Sequence, residues 1–187
     1  VEDQRYYNRF IYKNNIHAFY TTLSYNAGKF GLMAGLRGEY WKVNTESHSW
    51  AQERDASLRD KPFKKDYFQL FPSIFMSYQL TKSDQLQLNY TRRLRRPWGG
   101  ELNSFRNTSD ATVISSGNPE LTPEYSNSFS LNYLRTWREH SLLVSAYCRP
   151  TTDVMQRITY RSPADGLLYQ TSFNVAKSTS TGLELTA

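Results

Sequence analysis

Four arginines crowd into positions 92 to 96, Arg92, Arg93, Arg95 and Arg96, and they carry the most evident chemistry in the chain. Planar guanidinium forks meet phosphate or carboxylate oxygens two hydrogen bonds at a time, so the cluster is a phosphate-binding candidate. Solvated loop charge is the plainer account of the same residues. With Trp98, Phe105 and Tyr90 as stacking faces, they would also suit a single-stranded nucleic acid. Catalytic chemistry is harder to find. His17, His48 and His140 have no spacing that gathers them on one metal and read as solvated or wall residues. No Ser–His–Asp or Cys–His motif is present. Glu120 and Glu124 would make a carboxylate pair for glycoside hydrolysis, but Pro123 between them suits a turn better. Gly99-Gly100 follows no strand-to-helix pattern and makes no phosphate loop. The single cysteine, Cys148, excludes an internal disulfide and shares its register with Leu142, Val144 and Ala146. Neither an enzyme, a metal nor a cofactor is expected.

The elements that must position the arginines are strands. Phe30, Leu32, Ala34, Leu36 and Tyr40 alternate with Gly31, Met33, Gly35, Arg37 and Glu39, and Leu86, Leu88, Tyr90 and Leu94 alternate with Gln85, Gln87, Asn89, Thr91 and Arg93. Successive side chains of a strand point to opposite faces, so one face suits lipid and the other water. Of 187 residues, 39% are hydrophobic and 15% aromatic, and mean hydropathy is -0.68. Aromatics without matching aliphatics suggest interfacial girdles rather than a packed soluble core. No run approaches the ~20 apolar residues of a membrane helix, and residues 1 to 20 lack a signal-peptide pattern, so any crossing is by strands. The net charge of +6 and pI near 9.4 admit lipid phosphate or nucleic acid without choosing between them.

Seven strands are predicted: Phe10 to Tyr25, Phe30 to Tyr40, Tyr67 to Leu80, Gln85 to Leu94, Glu124 to Thr136, Ser141 to Arg161 and Leu168 to Ala187. Short polar turns at Asn26 to Lys29, Thr81 to Asp84 and Trp137 to His140 alternate with long connections, from Thr45 to Asp66 and from Arg95 to Pro123. Short turns at one end and long loops at the other are the signature of an up-and-down transmembrane barrel. The last two strands exceed the ~9–11 residues that span a bilayer, so their hairpin should project into solvent. Pro72 lies inside the third strand, where the lost N–H predicts a bulge or interruption.

Several stretches resemble the TonB-dependent outer-membrane receptors, in the variant of the Bacteroidetes-type outer-membrane β-barrel family. They are Phe10 to Tyr20 followed by Gly35 to Glu39, Phe71-Pro72-Ser73, Tyr90 to Pro97, Gly117-Asn118-Pro119-Glu120-Leu121-Thr122-Pro123-Glu124, and Gly182 to Leu185. Physically, Pro119 and Pro123 fix their own φ and push Asn118 and Thr122 to extended conformations, which sets how the loop enters the next strand. The resemblance implies an all-β, antiparallel up-and-down transmembrane barrel, with residues 1 to 187 a partial barrel domain of about seven strands out of ~22. It also implies a plug and a coupling segment, neither expected within these residues.

On that resemblance the protein is an outer-membrane receptor for energised uptake of an unidentified nutrient, working with a TonB-type coupling protein through the plug. Loops Thr45 to Asp66, Arg95 to Pro123 and Pro150 to Leu167 would face outward, with Trp50, Trp98, Phe105 and Tyr160 as ligand contacts or loop anchors. Outer-membrane lipid and lipopolysaccharide are the expected partners of Arg92, Arg93, Arg95 and Arg96, and nucleic acid is not. A structural or adhesive barrel without transport, and a soluble basic β-protein binding nucleic acid, are the alternatives.

Overall fold

A computed structural model describes residues 4–110 and 112–187, apart from the side chain of Arg5. Eight strands form one sheet in the order β1-β2-β3-β4-β6-β7-β8-β5. They are β1 (Asn8–Ala27), β2 (Phe30–Ser49), β3 (Phe63–Gln79), β4 (Asp84–Arg95), β5 (Val113–Ser115), β6 (Glu124–Trp137), β7 (His140–Arg161) and β8 (Leu168–Thr186). The seven long strands are antiparallel neighbours, as predicted, and the sheet is open, with β1 at one edge and, at the other, β8 covered only at its top by β5. The eighth, β5, lies inside the long loop and pairs in parallel with the top of β8.

Register sorts the two faces across the whole wall. One row of directly opposed residues reads Tyr25, Leu32, Met76, Leu88, Leu131, Ala146, Leu183, and the next reads Ala27, Phe30, Tyr78, Leu86, Tyr133, Val144, Leu185. The intervening row, on the opposite face, reads Asn26, Gly31, Ser77, Gln87, Asn132, Ser145, Glu184. Large apolar side chains stay uncovered on the first face, with Leu183 at 77% and Leu131 at 46% exposure, as a lipid-facing surface requires. Cys148 lies on this face, opposite Phe129. Gly38 is also there, and the Phe19 ring covers it where a Cβ would have to stand; Phe68 stacks beyond that ring at 6.5 Å.

The turns obey the expected chemistry. Gly28 takes φ 56° between β1 and β2, and Arg138 takes φ 53° between β6 and β7, both in the left-handed region that tight hairpins need. At the other end the expected loop bounds were too wide. Thr45 to Ser49 and Phe63 to Asp66 are strand, leaving only 50–62 as a connection that holds the short helix α1 (Trp50–Arg54). The outward stretch from Pro150 to Leu167 is, as the predicted strand bounds have it, a projecting hairpin: Pro150 to Arg161 is strand and the tip is 162–167. These extensions rise past the apolar band, where both faces meet water and polar residues occur on each, so alternation no longer marks them.

Pro72 acts differently from expectation. β3 runs through it without a bulge and pairs it with Leu36 of β2, but the β3–β4 ladder ends beside it, at Ser73 opposite Thr91. Proline supplies no N–H for a further rung. Above that point β3 has no ladder partner on its β4 side. The bulge lies elsewhere, in β7, where register shifts between Thr151 and Val154 and Asp153 takes φ 56°.

Candidate functional site

The loop from Arg96 to Pro123 folds inward onto the polar face of the wall and makes the only hydrophobic core among the described residues. Trp41 and Val43 of β2, on the same face as Arg37 and Glu39, are buried under Leu102 and Leu121 of the loop. Phe10, Tyr12, Tyr67 and Met155 pack around them. Trp41 donates its indole N–H to Asn14 Oδ1 at 2.6 Å and stacks on Tyr67 at 4.9 Å. Pro97 and Pro123, at the two ends of the loop, are fully buried.

Backbone and amide hydrogen bonds fix the loop further. The N–H groups of Gly117 and Asn118 donate to the carbonyls of Asn103 and Glu101 at 2.8 and 2.7 Å. A Cβ on Gly117 would sit 2.6 Å from both carbonyl oxygens, so glycine permits the approach. Asn174 of β8 pairs with Thr122 as a strand would, accepting from its N–H at 2.8 Å and donating to its carbonyl at 2.9 Å. Asn118 Nδ2 donates to the Ser172 carbonyl at 3.0 Å. The stretch Gly117 to Glu124 is thus a structural fastening. Glu120 is exposed, and Glu124 accepts from the Met155 N–H at 2.7 Å and from Arg95 at 3.2 Å.

Three of the four arginines, Arg92, Arg93 and Arg96, line one cavity of 440 Å³ with Arg37 and Glu39, and Arg95 does not line it. Arg96 bridges to Glu39 of β2 and lies over Trp41 at 5.3 Å. Arg95 pairs with Glu101 at 2.9 Å and Glu124 at 3.2 Å. Arg92 lies over the Tyr125 ring at 5.2 Å. Its Nε and that of Arg96 are buried without a hydrogen-bond partner. Arg93 is exposed on the inward face, opposite Ser126. Only Arg93 among the four has neither a carboxylate nor a ring partner among the described residues.

The aromatic candidates separate too. Trp98 and Phe105 line one cavity of 510 Å³ with Glu101, Asn103, Arg157 and Ser172, where the inward loop meets β7 and β8. Trp98 is 66% exposed there, its ring over Gly100. Trp50 instead opens α1 and meets Tyr7 edge-on at 5.2 Å, while Tyr160 stacks on Tyr169 at 5.9 Å beside the β7–β8 tip. Neither of these two lines the cavity.

His48 falls within the loop expected from Thr45 to Asp66. It is instead a β2 residue only 6% exposed, with Glu53 3.3 Å from Nδ1 and Glu46 3.8 Å from Nε2. The signal missed was the continuation of β2 above the apolar band. Glu53 also takes Arg9 at 2.5 Å, and that hydrogen bond and charge hold its carboxyl below the usual range. No group of three or more His, Cys, Asp or Glu side chains among the described residues could hold a metal ion.

The open sheet has the fold of barrel walls in solved outer-membrane proteins. It is similar to the Serratia marcescens haemophore receptor HasR, solved as a double mutant with haemophore HasA and haem (TM-score 0.72, 15% identity, 92% of this chain and 31% of that one). It is similar as well to the copper transporter OprC (0.66, 14%, 94% and 26%) and to the siderophore receptor PirA from Pseudomonas aeruginosa (0.61, 13%, 96% and 40%). The chain thus spans less than half of each of these proteins, and no curated protein sequence matches it. The model of the outer membrane protein beta-barrel family matches residues 1–187, and with its lipid-facing rows and polar inner face this chain belongs to that family and to the bacterial outer membrane.

Proposed function

We propose that the chain forms part of the wall of an outer-membrane receptor that takes up a scarce nutrient through a plugged barrel, energised by a TonB-type coupling protein. The observation that carries this reading is the inward fold of loop 96–123, which builds an aromatic-lined cavity on the lumen side of the mouth. Trp98 and Phe105 are the ligand contacts in this reading, and Trp50 and Tyr160 are loop anchors. The open edges of β1 and of β8 below its pairing with β5 support a larger barrel, because an open edge in hydrocarbon leaves backbone groups unpaired at several kcal/mol each. Further strands and a plug would complete it. Arg92, on the outward register of β4, is the arginine best placed to meet lipopolysaccharide phosphate. Receptor names among the structural neighbours, for haem carried by a haemophore, for a siderophore and for copper, suggest the ligand classes to try first.

The test is uptake by cells with and without the gene, offered labelled haem, ferric siderophores, copper or other limiting nutrients in turn. One nutrient should lose its high-affinity uptake in the deletion strain, and a protonophore should abolish the same uptake in the parent. Uptake that is lost on deletion yet indifferent to the protonophore would favour a passive barrel instead.

A further inference from the structure

We propose a separate oxyanion-binding site on the inward face of the wall, built by Arg93, Arg149 and Arg95 with the hydroxyls of Thr91, Ser126 and Ser128. These residues line one cavity of 330 Å³, outside the loop cavity that holds Trp98 and Phe105. Its ligand class is a carboxylate or phosphate.

Register explains the convergence. Arg93 stands opposite Ser126, which stands opposite Thr151, and the next inward row holds Thr91 and Ser128. Arg149 follows Cys148, the partner of Phe129, so it lies beside Ser128 on the far side of β6. Arg93 and Arg149 therefore flank β6 from its two neighbours, about 12 Å apart across two strand spacings and two residues of rise, and their long side chains reach inward over it. The β6–β7 ladder is broken here, since Asn127 and Ser128 have no paired residue in β7 and Pro150 has no N–H to offer. Hydroxyls fill the floor, with Ser126 Oγ and Thr151 Oγ1 2.8 Å apart.

Charge is what makes this a site. Arg95 is already neutralised by Glu101 and Glu124, but among the described residues neither Arg93 nor Arg149 has a carboxylate within ion-pair distance, and no acidic side chain lines the cavity. Two uncompensated guanidiniums in a concave, hydroxyl-floored surface favour an oxyanion through charge-assisted hydrogen bonds. The oxyanion comes either from a solute inside the barrel or from a carboxylate of the protein segment that fills it.

Citrate is the probe, titrated against thermal unfolding of the assembled full-length protein in detergent at constant ionic strength. Citrate should raise the midpoint saturably. Its apparent affinity should fall on the order of tenfold in Arg93→Gln and in Arg149→Gln, as expected for loss of one charge-assisted hydrogen bond. Arg149→Lys, which keeps the charge and the fold, should fall between, and Arg161→Gln should match the native protein. If citrate has no effect but the two glutamine variants unfold earlier than Arg161→Gln, the anion is the protein's own carboxylate and the site stands. Protection undiminished in both variants, or no citrate effect with midpoints equal to that of Arg161→Gln, overturns the proposal. None of these readings depends on transport.

Discussion

The lower wall and the inward loop solve opposite problems with one sheet. Below Tyr40 and Phe68, apolar rows are left open on the outside and polar rows on the inside, so this part stores its hydrophobic stabilisation in contact with lipid. Above, the same β2 turns its inner positions apolar, at Trp41 and Val43, and buries them under a loop as a soluble protein would. Which solvent a face meets decides what its side chains must be. The difference also predicts that the two regions should fail independently.

The largest separation should come from Trp41→Ala. Removing a buried tryptophan costs about 3–5 kcal/mol, here drawn from the packing that holds loop 96–123. The loop should become open to external protease in intact cells, while the heat-modifiable gel mobility of the barrel stays. Loss of both together would mean that loop and wall form one cooperative unit.

The converse test strikes the wall. Leu32, Leu88 and Leu131 belong to one outward row, so arginine at any of them should cost about 2–4 kcal/mol of barrel stability in lipid vesicles. Arginine at Gln87 or Ser130, on inward rows, should be tolerated, and the loop should stay protected from protease in every variant that assembles. Equal tolerance on the two faces would contradict the assignment of lipid and lumen sides.

These contrasts also measure how far the sequence could be read. Strict alternation located all seven long strands, because lipid on one side and water on the other leave a period of two. It stops at Tyr40 and Tyr67, where the strands leave the bilayer, so it assigns the stretch around His48 to a loop. At Pro72 the expected bulge or interruption of β3 does not occur; the ladder to β4 alone ends beside it, which sequence alone does not reveal. The arginines are legible as a group, and Arg92, Arg93 and Arg96 do meet at one cavity, but the sequence does not show that Arg95 turns to Glu101 and Glu124. Arg149, the other inward arginine without a carboxylate partner at the hydroxyl-floored cavity, lies 56 positions from Arg93 and two strands away across β6, and only the register brings the two together. The order in the loop was legible through Gly117 to Glu124, whereas Asn174, its partner, carries no pattern of its own.

Asn174 therefore offers a finer cut within the upper region. Asn174→Ala leaves the Thr122 N–H and carbonyl unsatisfied and removes the 2.6 Å bond to the Asp153 carbonyl, at about 1–3 kcal/mol. Protease should then cut near residues 117 to 123 while the segment around Leu102 stays protected, whereas Trp41→Ala exposes the whole loop. Cleavage at the same sites in both variants would show that the fastening and the core are a single device.

The smallest effect should lie at α1, above both regions, and should depend on pH. Arg9 holds the Glu53 carboxyl below its ordinary value of 4.5, chiefly by their hydrogen bond. A carboxylate with a lowered folded value stabilises the fold fully above its unfolded value and loses that contribution as pH falls through the folded one. Between neutrality and pH 5 the amides of residues 50 to 58 should thus keep a constant hydrogen-exchange protection, corrected for intrinsic rate. Below about 4.5 that protection should fall, and in Arg9→Gln the fall should begin at higher pH. Salt should weaken it, since Arg9 is 57% exposed and the pair is screened. The amides of the wall rows, which owe their protection to ladder hydrogen bonds, should show no such step, and a parallel loss there would tie the acid transition to the wall rather than to this ion pair.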